Sequence, residues 1–254
     1  MAILKINNLS KSFGGLKAIN NVSFHLQEGA IKAVIGPNGA GKTTLFNLIS
    51  GFLKPDNGSI IFKDTGIDGL DAHRIATLGI ARTFQHIRLF PGMNVLENVM
   101  MGRHRFARTG FLSSMLNMPW KRREEREIKE KALYALEFVG IAELAYKDAL
   151  ELSYGQQRLV ELARALALEP EILLLDEPAA GLNMRETAEM GILIERIRDK
   201  GVTVLIVEHD MTLIMKISDE IVVLSYGEKI AEDNPLSIQK NEEVIRVYLG
   251  EEDA

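Results

Sequence analysis

The stretch Gly36 to Thr44, GPNGAGKTT, constrains this chain more than any other. Gly36, Gly41, Lys42 and Thr43 fill the pattern of Gly, four residues, then Gly-Lys-Ser/Thr. An apolar run, Ile31 to Ile35, precedes it and a helical pattern closing at Gly51 follows, so a strand, a glycine-rich loop and a helix are expected in that order. Gly36, Gly39 and Gly41 let the backbone curl until successive N–H groups aim at anionic oxygens. Those oxygens then sit at the positive end of a helix dipole. Lys42 adds a mobile cation for the outer phosphates of a nucleoside triphosphate, and the Thr43 hydroxyl is placed to ligate Mg2+ beside them. Pro37, Asn38, Ala40 and Thr44 complete the expected nucleotide contact. A chance match is the competing explanation, and the strand before and helix after the motif argue against it.

The 254 residues are 46% hydrophobic and 26% charged, an ordinary globular composition. No apolar run approaches the roughly 20 residues needed to span a bilayer. The opening MAILKINNLSKSF lacks a basic start followed by an apolar signal core, so the chain is expected to stay in the cytoplasm. With no cysteine, disulfides, thiol nucleophiles and Cys-ligated zinc are excluded. A net charge of -5 argues against a sequence-independent grip on nucleic acid. The basic run Lys121 to Arg126 is diluted by Glu124 and Glu125 and reads as a solvated helix face.

Residues 2–9 and 21–26 alternate as strands, with Gly14-Gly15 as a turn between them. Phe13, just ahead of this turn, either stacks on a base or joins the core; position alone does not decide. Pro55-Asp56-Asn57-Gly58 marks a turn before a strand from Ser59 to Lys63. From about Phe90 to Leu152 the chain reads as helical, with Ile128, Ala132, Ala135, Leu136 and Val139 on one helix face. This stretch looks like an insertion between two halves of a nucleotide-binding core.

The core resumes at Glu171 to Pro178, EILLLDEP, a short apolar strand that ends in Asp176 and Glu177. Ligands of open α/β sheets gather at the carboxyl ends of strands, so Asp176 is a candidate to orient Mg2+ and its water, and Glu177 to polarise an attacking water. A second apolar strand, Val202 to Val207, delivers His209 to the same edge, where its ring could hydrogen-bond a terminal phosphate. Ahead of both lies LSYGQ, where Ser153 and Gln156 form a capping box for a helix carrying Leu159, Leu162, Ala163 and Leu166. Gly155 is a poor choice inside a first helical turn unless something approaches the backbone closely.

Taken together, GPNGAGKT, Gln85, LSYGQ, ILLLDEP, Gly181-Leu182-Asn183 and His209 resemble the ATP-binding cassette ATPases in order and spacing over the whole chain. LSYGQ is the specific part, because generic phosphate-loop enzymes lack it. The resemblance implies a dimer in which Ser153, Gly155 and Gln156 of one subunit close over ATP held by the other. It also implies that Phe13 stacks on adenine, that Gln85 contacts Mg2+ and the attacking water, and that His209 holds the terminal phosphate. Two residues depart from the family pattern: Tyr154 stands where most members have Gly, and Asn183 where many have Asp.

The stretch Gly79 to Arg103, the insertion Arg103 to Trp120, the YGQQRLVELARALA run and PAAGLN look more narrowly like the ATPase subunit of branched-chain amino acid importers. By that resemblance the chain pairs with membrane permease subunits and a second ATPase subunit, and indirectly with a solute-binding protein, at the cytoplasmic face of the membrane. The fold expected is α/β: a P-loop nucleoside triphosphate hydrolase core with an N-terminal antiparallel β subdomain and an inserted α-helical subdomain. The divisions expected are a core of 1–88 and 153–235, helices over 89–152, and a C-terminal helix and tail over 236–254. A small-molecule kinase would use Lys42 and Asp176 equally well but gives LSYGQ no role, and a cassette acting on nucleic acid would carry a coiled-coil insertion or a second cassette. Residues 85–120 are the densest Met and aromatic region, including Leu89, Phe90, Met93, Met100, Met101, Phe111, Leu112, Met115, Leu116 and Met118. That density suits a surface that receives a partner helix.

Overall fold

The structure is a computed structural model that describes residues 1–106 and 119–249. Two compact units divide it, one of residues 1–82 with 171–254 and one of residues 83–170.

The first unit holds two sheets. β1 (Ala2–Phe13) and β2 (Leu16–Gln27) form a hairpin longer than their alternation suggests, closed by Gly14 and Gly15 at φ 53° and 92°. A two-residue turn of this hand needs positive φ at both positions, which glycine supplies without strain. With β4 (Asn57–Phe62) and β5 (Thr65–Gly66) they make an antiparallel sheet of order β2-β1-β4-β5. The expected turn at Pro55 to Gly58 is shorter than its sequence suggests: Asn57 already pairs with Ser10, and the register shifts between there and Asn7, beside Gly58. A Cβ on Gly58 would lie 2.5 Å from the Asn7 and Asn8 carbonyls, so glycine permits the bulge.

The second sheet has order β10-β9-β3-β8-β7-β6. Its members are β3 (Ile31–Ile35), β6 (Ile80–Arg82), β7 (Ile172–Asp176), β8 (Thr203–Val207), β9 (Glu220–Ser225) and β10 (Glu228–Asp233). All neighbours are parallel except β9 and β10. β3, β7 and β8 are buried at every residue, as strands covered on both faces must be. Helix α1 (Lys42–Ile49) buries Leu45, Phe46, Leu48 and Ile49, and these join residues of both sheets in one core. Lys32 of β3 is 1% exposed and its ammonium pairs with Glu220 at 2.8 Å and Glu232 at 2.6 Å. Helix α2 (Ala72–Leu78) precedes β6, α6 (Met184–Asp199) follows β7, α7 (Met211–Ile217) follows β8, and α8 (Pro235–Gln239) and α9 (Glu242–Leu249) end the described chain.

The second unit is helical: α3 (Val95–Met100), α4 (Pro119–Val139) and α5 (Tyr154–Leu166), joined by short 3-10 turns. The expected apolar face of α4 is present, with Ala132, Ala135, Leu136 and Val139 buried and Ile128 half-buried. α5 packs on α3 and α4 and buries Val160, Leu162 and Ala163. Residues 83–88 and 153–170 therefore group with the helices rather than with the strands. Of the Met and aromatic stretch, Phe90 and Met101 are exposed, Leu89, Met93 and Met100 are half-buried, and Phe111, Leu112, Met115, Leu116 and Met118 lie outside the described residues.

Candidate functional site

β3 runs straight into the glycine-rich loop, of which Gly36, Pro37 and Ala40 are buried against the sheet while Asn38 and Gly39 are exposed. Two crowded glycines fix its path: a Cβ on Gly36 would lie 2.1 Å from the Leu224 carbonyl, and one on Gly41 would lie 2.4 Å from that of Ala18. Gly41, at φ 102°, is the N-cap of α1 and makes no side-chain cap, which suits a helix start that is to receive an anion. The Lys42 ammonium, 6% exposed, donates to the carbonyls of Gly36 at 2.5 Å and Pro37 at 2.9 Å. Thr43 is exposed and Thr44 half-buried on the same turn. Phe13, 46% exposed, sits at the end of the hairpin whose second strand supplies Ala18, with the Lys11 ammonium 5.8 Å from its ring centre.

β7 delivers the two carboxylates at the sheet edge with opposite surroundings. Asp176 is 3% exposed and accepts from the Arg82 guanidinium at 2.8 Å. The other arm of Arg82 donates to Asn47 Oδ1 and Ser50 Oγ, both at 2.8 Å and both from the α1 segment, while its guanidinium carbon lies 5.6 Å from the ring centre of Phe46 and 5.8 Å from that of Phe52. Glu177 takes φ 49°, and its N–H donates to the Val207 carbonyl at 2.8 Å. His209, just past β8, places Nε2 2.9 Å from Glu177 Oε1. The phosphate loop, Asp176, Glu177 and His209 thus share the carboxyl edge of β3, β7 and β8 in one unit, where ligands of such sheets bind.

Gln85, Ser153, Gly155 and Gln156 belong to the other unit. Ser153 caps α5 as expected: its hydroxyl accepts from Gln156 N–H at 3.4 Å, and Gln156 Oε1 accepts from Ser153 N–H at 3.1 Å. Tyr154 occupies the first helical position, its ring under the Arg158 guanidinium and its hydroxyl accepting from it at 3.1 Å. Arg158, 3% exposed, also donates to the carbonyls of Phe84 at 2.8 Å and Gln85 at 2.6 Å. Glu161 beside it is 2% exposed; burial pushes its carboxyl above the usual range, against the pull of Arg164 and Arg158. Asn183 is the N-cap of α6 and accepts from Arg185 and Glu186 N–H at 3.0 Å, work that Asn and Asp do equally well.

Sequence reasoning missed Arg82 and the Arg158–Glu161 pair. The second left a signal, since charges three residues apart on the apolar face of α5 demand partners when buried. Arg82 left none, because β6 is too short to show a period.

Residues 19–180 match the family described as ABC transporter, and residues 228–254 match that described as branched-chain amino acid ATP-binding cassette transporter. The chain is 47% identical over 250 residues to the high-affinity branched-chain amino acid transport ATP-binding protein LivG of Escherichia coli (strain K12), covering 98% of each. Its fold is similar to the ADP conformation of an ATP-binding cassette of an ABC transporter, with TM-score 0.86, 35% identity, and 98% of this chain and 99% of that one covered. It is also similar to a dimeric bacterial ABC transporter cassette, with TM-score 0.77, 27% identity, and coverage of 91% and 98%.

Proposed function

The chain belongs to the ABC transporter family of ATP-binding cassettes, and on that premise we propose that it binds and hydrolyses ATP to drive an importer, with branched-chain amino acids as the solute. What supports hydrolysis above all is the pairing of Glu177 with His209 at 2.9 Å, beside the phosphate loop. The loop N–H groups and Lys42 hold the phosphates, and Phe13 offers an exposed ring to adenine. Glu177 accepts a proton from water as the water oxygen attacks the terminal phosphorus, and the bond to the β-phosphate oxygen breaks to leave ADP and inorganic phosphate. His209 holds the carboxylate and the terminal phosphate at the rim.

The Thr43 hydroxyl and the Asp176 carboxylate are hard oxygen donors of the kind Mg2+ takes with phosphate and water, so these residues fit the cation. When bound, Mg2+ neutralises charge that builds on the phosphate oxygens. For Gln85, contact with the cation and the water rests on family resemblance alone.

The same resemblance, together with the dimeric relative, supports a sandwich in which Ser153, Gly155 and Gln156 close over ATP held by a second ATPase subunit. The solute follows the relative named for branched-chain amino acid transport. Among the described residues no helix is long and apolar enough to cross a membrane. The family resemblance supports assigning the transport path to permease subunits, with this chain peripheral on the cytoplasmic face. The test is phosphate release from ATP by the purified chain without an acceptor, followed by uptake of labelled leucine, isoleucine and valine into vesicles holding its co-purified membrane partners. Transfer of phosphate only to an added acceptor would make the chain a kinase, and uptake of none of the three would remove the solute assignment.

A further inference from the structure

We propose that Glu208 is a positioning residue that ties the loop of Glu177 to the loop of His209. The inference rests on the hydrolytic role just given to those two residues. Glu208 follows the last residue of β8, and it is 4% exposed although its neighbour His209 reaches solvent. Its two oxygens serve two different loops. Oε1 accepts from Ala179 N–H at 2.8 Å, and Oε2 accepts from His209 N–H at 2.7 Å and Asp210 N–H at 3.4 Å. A buried carboxylate is costly unless such donors surround it, and hydrogen bonds to a charged acceptor are the strong ones.

The Glu177 turn needs this hold. Glu177 sits at φ 49°, a region that residues other than glycine enter only when the surroundings hold them there. Pro178 has no N–H, so the donors that flank it are those of Glu177 and Ala179. Glu177 donates to the Val207 carbonyl at 2.8 Å, and Ala179 donates to Glu208. Both ties run to the end of β8, which also carries His209. On the other side, Asp210 caps α7 by accepting from Leu213 N–H at 3.1 Å, so the Glu208 contact also sets where that helix begins. One side chain therefore fixes the base and the histidine relative to each other through main-chain N–H groups.

The expected signature is loss of turnover with nucleotide binding kept, since the phosphate loop is built on another strand. Glu208→Gln retains one acceptor oxygen and presents an amide to the other loop, so it should lose part of what Glu208→Ala loses. A displacement of the base by about 1 Å costs on the order of 10²-fold in rate. We expect kcat to fall on that scale for Glu208→Ala and less for Glu208→Gln, with KM for ATP and the affinity for ADP within about threefold. Residues that act as a unit are not additive, so in a Glu177→Gln background the Glu208 substitutions should lower residual turnover no further. Thermal unfolding of each variant reports folding separately; if Glu208→Ala does not fold, the Glu208→Gln arm carries the test. Normal kcat in folded Glu208→Gln and Glu208→Ala, or losses that multiply with that of Glu177→Gln, would overturn the proposal. Normal turnover by Glu177→Gln alone would overturn the hydrolytic assignment and the proposal with it.

Discussion

His209 Nε2 lies 2.9 Å from Glu177 Oε1, and the histidine side chain is 44% exposed while that of the glutamate is 15% exposed. The carboxylate is therefore the more enclosed member of the pair, and the histidine the one that reaches solvent. In the hydrolysis proposed above this carboxylate serves as the base, and nucleotide binding is assigned to the phosphate loop.

Glu177→Gln should therefore keep ATP affinity and lose roughly 10² to 10⁴-fold in turnover, the usual general-base contribution. Lys42→Ala should lose binding as well, because its buried ammonium serves the loop itself. Equilibrium binding of a fluorescent ATP analogue beside phosphate release separates the two effects.

The sandwich is tested in the same Glu177→Gln chain, which should discharge its ATP only slowly. Sedimentation should show a monomer with ADP and a dimer with ATP, because a ligand held more tightly by the closed dimer than by the single chain shifts the equilibrium by mass action. A mass indifferent to ATP would mean that the second ATPase subunit is a different chain or that the sandwich is wrong.

Tyr154 packs on Arg158 of its own helix, so Tyr154→Gly should change turnover by no more than a few-fold, about 1 kcal/mol of lost packing. Ser153→Arg should abolish turnover by filling the anion site proposed at the N-terminus of α5. Steady-state ATPase assays compare them directly; equal damage from both would place the tyrosine inside the site.

Arg82→Ala removes the guanidinium from a nearly buried carboxylate, a change expected to destabilise by about 3 kcal/mol. Arg82→Lys should recover only part of this, since an ammonium cannot bridge Asp176, Asn47 and Ser50 as a planar fork does. Urea denaturation midpoints measure both.

Phe90 is 41% exposed and Met93 half-buried, so Phe90→Glu is the cleaner probe of docking on membrane partners. It should leave the purified chain's hydrolysis within about twofold, as surface changes generally do. Association with permease-containing membranes and solute uptake should both fail. Uptake at the normal level would move the docking surface elsewhere.

Much of the site is written in local sequence. Lys42 follows a glycine loop, Asp176 and Glu177 end a five-residue apolar strand, and Ser153 with Gln156 announces a helix start three residues apart. Each is legible because cause and effect lie within one turn or one strand. Arg82 and Glu208 are not, because their partners are 94 and 29 residues away in the chain and meet them only after the sheet has formed. The grouping of α5 with the helices is hidden for a similar reason: periodicity shows that a helix has an apolar face, not which neighbour covers it.

The strand order carries a further consequence. Between β3, which feeds the phosphate loop, and β7, which carries Asp176 and Glu177, lies only β8. Adjacent strands are spaced by main-chain hydrogen bonds at about 4.8 Å, so the strands that carry the loop and the carboxylates are anchored about 10 Å apart. The sheet thus serves as a ruler graduated in peptide bonds, which side chains cannot stretch. Exchanges of valine and isoleucine along these strands alter packing and stability but leave that interval untouched.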